Sequence, residues 1–211
     1  MNIVSFDCET SGFDPIRESI IEIGAIKVNL KGKQIDKFSQ LAHPGKRISK
    51  KIESLTGITN EMLEGKPSPH IVTQQFFDWL DDDSILIAHN ASFDCKFVYH
   101  ALNKKNIPVK DHRVICSLKW AQNKLNCHSY GLQNLMEVVG YHPKDTHRAL
   151  PDAICSMKLV AMILRKYEHV ESEERIRELL LSRSVTIKSY ITSKRKKTNH
   201  NNYNGEVMRW N

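Results

Sequence analysis

A chain of 211 residues with a 40% hydrophobic share can bury a sizeable core as one domain with a tail or one large domain. Its net charge of +7 is uneven: residues 165–211 carry 11 Lys/Arg against 6 Asp/Glu, leaving +2 for residues 1–164, so a basic tail follows a nearly neutral body and suits a polyanion or simply water. Five scattered cysteines without a CxxC pair exclude a disulfide framework and a zinc ribbon, and neither a signal peptide nor a run of ~18 apolar residues is present, so the expectation is a soluble cytoplasmic protein without a membrane partner.

In chain order, residues 2–8 read as a buried strand ending at Thr10-Ser11-Gly12, 19–28 as a second strand and 35–41 as a third. The turn at Gly32 makes these three a meander. Short helical patterns follow over 48–55 and 60–64, a longer one over 71–80, then a strand over 85–88 and a helix over 92–103. Val114-Ile115 reads as a strand and 118–125 and 132–139 as helices. A long helix runs from Pro151 to Tyr167, with the proline at its first position, where it loses no needed N–H bond. Strands that alternate with helices after a meander predict an α/β fold with a mixed central sheet covered by helices. Residues 1–168 are the expected domain and 169–211 a basic C-terminal extension, partly disordered. In that extension 173–183 is weakly amphipathic, 184–193 alternates like an edge strand, and Lys194–Lys197 leads into an asparagine-rich end.

Three segments carry acids beside apolar sequence, where an unpaired charge is expensive. Asp7 and Glu9, two apart on a strand, project from one face, and such a pair is a template for a hard divalent cation or merely an acidic strand end. Asp94, at the junction of the 85–88 strand and the next helix, is a candidate ligand or a residue placed by the helix dipole. Asn90 and Ser92 beside it are turn or capping candidates. His147 precedes Asp152 by five positions at a helix start. Asp152 has the same dipole alternative, and His147 is either a loop histidine or a proton acceptor near neutrality.

Together, Asp7-Cys8-Glu9-Thr10, His89-Asn90-Ala91-Ser92-Phe93-Asp94 and His147 to Asp152 resemble the three motifs of the DEDD superfamily of 3′→5′ exonucleases. Position 148 is arginine and position 147 histidine, which matches the histidine (DEDDh) branch, and the bacterial polymerase III epsilon-like proofreading group most of all. The resemblance spans residues 3 to about 165 and implies an RNase H-like fold. It also implies two Mg²⁺ or Mn²⁺ ions on Asp7, Glu9, Asp94 and Asp152, with His147 as general base. Leu55-Thr56-Gly57-Ile58-Thr59 resembles the family segment that meets the terminal nucleotide, so Thr10, Leu55, Thr56 and Asn90 are the substrate-binding candidates. The implied reaction removes nucleoside 5′-monophosphates from a DNA 3′ end, single-stranded or mispaired, in proofreading or repair beside a DNA polymerase subunit.

An alternative within the family is trimming of RNA, since the motifs do not read the 2′ position. An alternative of another class is a non-catalytic nucleic-acid-binding or polymerase-tethered module, against which stands the presence of all five residues. The Asp7-Cys8-Glu9-Thr10 segment also partly mimics the DxDxT motif of haloacid-dehalogenase-type phosphatases, but Glu9 replaces its second aspartate.

Overall fold

The computed structural model describes residues 1–143, 147–170 and 172–192. Three strands, β1 (Ile3–Thr10), β2 (Ile20–Val28) and β3 (Gln34–Leu41), form the expected antiparallel meander. The short helices α1 (Lys50–Thr56) and α2 (Asn60–Leu63) come next, then α3 (Pro69–Trp79), β4 (Ile85–Ala88) and α4 (Ser92–Asn103). They are followed by β5 (Arg113–Cys116), α5 (Ser117–Lys124), α6 (Leu132–Val139) and α7 (Ala149–Lys166). The described chain closes with α8 (Glu173–Arg183), β6 (Val185–Thr186) and α9 (Ile187–Thr192).

The sheet runs β3-β2-β1-β4-β5-β6. β4 lies parallel to β1 and β5 parallel to β4, because each is reached by a helical crossover, while β6 returns antiparallel beside β5. Strand alternation sorts β1 by face. Val4, Phe6 and Cys8 enter a core with α3, α4 and α9, and Ile3 enters a second core built largely by α5, α6, α7 and α8. Ser5, Asp7 and Glu9 therefore share the face over which α7 lies. A smaller apolar cluster, Ile21 with Ile48, Ile52, Ile58 and Leu63, seats α1 and α2 against the start of β2.

Residues 184–193 differ from the expected edge strand. Only Val185–Thr186 pairs, with Arg113 and Val114, and the chain then turns into α9. Ile187 and Tyr190, three apart, are both buried in the core on the α4 side. That spacing presents one helical stripe, whereas a strand would send the two to opposite faces. Leu180 of α8 is likewise fully buried, and the Arg113 guanidinium donates to Ser184 Oγ and to the Leu181 and Ser184 carbonyls. The stretch from 173 to 192 is thus built into the sheet and its covering layers. Lys194–Lys197 and the asparagine-rich end lie outside the described residues. No helix among the described residues is long and apolar enough to cross a membrane.

Candidate active site

The site is assembled at the C-terminal end of β1. Carboxylate oxygens of Asp7, Glu9 and Asp152 lie within 4.8 Å of one another. Asp7 and Glu9 arrive on one strand and Asp152 from the first turn of α7, 143 residues later in the sequence than Glu9. Asp94, in the first turn of α4, is 2% exposed and stands outside that triangle. Its Oδ1 accepts a 3.1 Å hydrogen bond from the backbone N–H of Cys8, the residue between Asp7 and Glu9. The fourth acid is therefore tied to the same strand by its backbone.

Crowding and burial hold protons on this cluster. Burial pushes the Asp7 carboxyl well above the ordinary aspartate range, with Asp94, Glu9, Asp152 and Glu22 adding repulsion. Glu9 is pushed up to about 8 by burial, then by Asp152, Glu22 and Asp94, while Arg148 opposes. Asp94 reaches about 8, mainly through burial, although the Cys8 N–H stabilises its anion. Asp152 reaches about 6, again through burial, against a hydrogen bond from the His147 backbone. Clustered, desolvated, all-oxygen donors are the donor set that suits hard divalent cations such as Mg²⁺ or Mn²⁺.

The third segment is held by residues that the sequence reading passed over. Glu22 of β2, the cross-strand partner of Glu9, is 2% exposed. It accepts from Arg148 Nη2 at 2.7 Å, from Arg148 Nε at 3.0 Å and from the Ala149 N–H at 3.0 Å. A carboxylate from a neighbouring strand thus satisfies an N–H at the start of α7 that has no partner within the helix. Two positions along β2, Gly24 faces Asp7 in the ladder, and a Cβ there would lie 2.1 Å from the Leu150 nitrogen. Only glycine lets the first turn of α7 come down onto the sheet. The sequence signal for both was present: a glutamate and a glycine inside the largely apolar run IIEIGAIKV.

α7 begins at Ala149, two residues ahead of the expected Pro151, which occupies its third position. The proline is tolerated because the first four N–H groups of a helix lack intrahelical acceptors. His147 has φ +58, in the left-handed region, and its Nε2 lies 3.3 Å from Gln133 Nε2 at the start of α6. The loop leading to α6 is pinned in turn by His89, whose ring nitrogens meet Ser117 Oγ at 3.0 Å and the Tyr130 carbonyl at 2.9 Å. Burial keeps His89 below the ordinary histidine pKa. A neutral ring that donates to the carbonyl and accepts from the serine satisfies both contacts.

The four substrate-binding candidates differ in accessibility. The Thr10 hydroxyl donates to the Gly12 carbonyl at 2.7 Å, and that of Thr56 donates to the Ile52 carbonyl at 2.9 Å and accepts from the Ile58 N–H. Leu55 is 39% exposed, and Asn90 is exposed with φ +59 in the turn before α4. Ile58, in the same segment, is fully buried and belongs to the α1–α2 cluster.

An exonuclease family model (RNase_T) matches residues 4–160. The chain is 37% identical over 188 residues to the PolC-type DNA polymerase III of Thermotoga maritima, which covers 89% of this chain and 13% of that protein. It is 32% identical over 164 residues to the DNA polymerase III subunit epsilon of Aquifex aeolicus, covering 77% of this chain and 80% of that one. The chain thus spans about an eighth of the PolC-type relatives and four fifths of the epsilon relative. Among solved structures it resembles Exonuclease X in complex with 5′ overhanging duplex DNA, with TM-score 0.66 and 23% identity over 84% of this chain and 99% of that one. It also resembles the nuclease domain of 3′hExo, a DEDDh family member bound to rAMP, with TM-score 0.69 and 20% identity over 81% and 94%. At these identities the two likenesses establish the RNase H-like exonuclease fold.

Proposed function

Because the chain belongs to the exonuclease family, we propose that it is a metal-dependent 3′→5′ exonuclease that hydrolyses terminal phosphodiesters of DNA and releases nucleoside 5′-monophosphates. The observation that carries this reading is the convergence of Asp7, Glu9 and Asp152 within 4.8 Å, with Asp94 bonded to the strand between them. These four carboxylates are the proposed ligands of two Mg²⁺ or Mn²⁺ ions. Bound there, the ions would supply Lewis-acid stabilisation of the charge that develops on phosphate oxygens during hydrolysis.

The chain's own residues do the rest. His147 is the proposed general base, taking the proton of the attacking water, a role that suits an imidazole at neutral pH. Gln133 and the left-handed backbone at His147 set the ring's direction. Leu55 and Asn90, both exposed, are the proposed side-chain contacts to the 3′-terminal nucleotide. Thr10 and Thr56 contribute by shaping the backbone there, since their hydroxyls are engaged locally.

The preferred substrate in this reading is a single-stranded or mispaired DNA 3′ end, and the setting is proofreading or repair in the cytoplasm beside a DNA polymerase. It is supported by similarity to proteins named as DNA polymerase III subunit epsilon and PolC-type polymerase. The test is degradation of 5′-labelled single-stranded DNA, duplex DNA and RNA with and without Mg²⁺. A descending ladder on DNA that EDTA abolishes supports the reading. A ladder on RNA alone reassigns the substrate, and binding without cleavage leaves a tethering module.

A further inference from the structure

α4 starts in the acidic site and ends on a basic rim. Asp94 lies in its first turn, and Lys96, His100 and Lys104 follow at four-residue steps, which places them on one face. Lys104 and Lys105 end the row about 15 Å from Asp94 along the axis at 1.5 Å per residue. Both are exposed, and neither forms an ion pair among the described residues. They rim a cleft of about 320 Å³ between α4, the β1–β2 loop, the segment after β3 and the start of α3. Its lining includes the apolar Ile20, Pro44 and Ala101, together with the imidazoles of His43 and His70. The nearby acids are engaged. Glu18 is held by Lys46 at 2.9 Å and by Ser11 at 2.6 Å, and Asp14 accepts from the Ile16 N–H and lies 3.6 Å from Arg17.

We propose that this cleft is the path of the substrate strand upstream of its 3′ terminus, with Lys104 and Lys105 contacting backbone phosphates and the apolar lining taking a base or sugar. The proposal rests on the exonuclease reading and adds a binding surface to it. An apolar-lined groove with free cations along one side is what an unpaired strand needs: charge for the backbone, and a sequence-tolerant surface for bases. The cleft's volume lies at the small end of the ~300–1,000 Å³ of ligand sites. The duplex rise of ~3.4 Å per nucleotide is a lower bound for an unpaired, extended strand, so the axial distance spans only a few nucleotides, and the lysines engage strands longer than a dinucleotide.

The experiment compares wild type with the double variant Lys104→Gln/Lys105→Gln, by fluorescence anisotropy in EDTA, on a dinucleotide and on a long oligothymidylate over a range of salt. The exposed lysines make no contact the fold needs, so the variant is a folded comparison. Expected are a roughly ten-fold affinity loss on the long strand and a salt dependence shallower by about 1.4. Lys104→Glu/Lys105→Glu should weaken binding further. Equal affinity and equal salt slope for wild type and both variants overturn the proposal. Wild-type hydrolysis of the p-nitrophenyl ester of thymidine 5′-monophosphate, which carries no upstream strand, tests the exonuclease reading separately. If the ester is cleaved but the lysines do not matter, the cleft fails and the activity stands; if neither ester nor DNA is cleaved, the activity fails.

Discussion

Arg148 grips Glu22 through two hydrogen bonds, 3.0 Å from Nε and 2.7 Å from Nη2, across 126 residues of sequence. The pair joins the residue after His147 to the residue facing Glu9, so it locks the third acidic segment in register with the first. It also places one positive charge beside an acid-rich centre, where it lowers the Glu9 pKa against the larger effect of burial.

Arg148→Ala should therefore damage both stability and turnover. It leaves the buried Glu22 carboxylate without its guanidinium, which costs about 3–5 kcal/mol in a fully buried pair. The Arg148 side chain is about a third exposed, so solvent screening reduces the expected loss to about 2–3 kcal/mol. Chemical denaturation measures this. Arg148→Lys should recover part of the stability but less of the activity, since a single ammonium cannot reproduce the two-point grip.

Gly24→Ala tests the close approach of α7 without touching an acid. Its Cβ would meet the Leu150 nitrogen at 2.1 Å and the Ala149 carbonyl carbon at 2.3 Å. The helix start must shift, at about 1–3 kcal/mol or more. Because Asp152 rides on that turn, nuclease activity should fall by more than the stability loss explains. A folded variant with wild-type turnover would show that the site tolerates the displacement.

Single carboxylate replacements should separate stability from chemistry. Asp7→Asn or Asp152→Asn replaces one of several crowded, desolvated carboxyls by a neutral amide, so the metal-free protein should melt no lower than wild type. Activity in Mg²⁺ should be lost. Mg²⁺ should raise the melting temperature of wild type by mass action and raise that of either variant less. His147→Ala should slow turnover far more than it weakens DNA binding. Full activity of that protein on a labelled oligonucleotide would remove the histidine from the mechanism.

The acid cluster makes stability depend on pH in a defined direction. Glu9 and Asp94 titrate near 8 in the folded chain, against about 4 in an unfolded one. Between those values the folded state holds protons that the unfolded state has released. The cluster's contribution is fully present below about pH 4 and is lost as pH rises through about 8. In EDTA, melting temperature should thus carry a declining component from weakly acid to mildly alkaline pH. Divalent ions, which replace the protons, should flatten it. A rising component from the same residues would contradict the assignment.

His112 contributes with the opposite slope. It is 6% exposed, stacks on Phe77 at 6.0 Å, and among the described residues neither ring nitrogen makes a well-formed hydrogen bond, the Ser84 backbone being only a weak polar neighbour. Burial holds its pKa below the ordinary value, with the Ser84 backbone opposing. As pH falls through about 6.5 the unfolded chain takes up a proton more readily than the folded one, so stability drops. His112→Phe should lessen that acid loss and, by removing poorly satisfied buried nitrogens, stabilise the fold by up to about 1 kcal/mol near neutrality. Denaturation curves at two pH values measure both effects.

Much of the architecture was legible in the sequence because its signals are local. Alternation and turn residues marked β1 to β3, and helical spacing marked α3, α4, α6 and most of α7. The Ile187–Tyr190 segment was misread because Val185 and Ile187 alternate like a strand while Ile187 and Tyr190 repeat like a helix. Two residues of strand and six of helix satisfy both patterns, and only a buried site on the α4 side decides where one stops. The acids Asp7, Glu9, Asp94 and Asp152 were legible individually, as charges beside apolar runs. By itself the sequence determined which residue types exist for chemistry and which faces must be buried, since both follow from spacing of a few positions. The tertiary structure decided that Glu22 caps α7 through Ala149, that Gly24 admits Leu150, that Gln133 meets His147, and that a basic cleft lies beyond Asp94. Those are distances between segments far apart in the chain. They are set by how the sheet and helices pack, which no local spacing records.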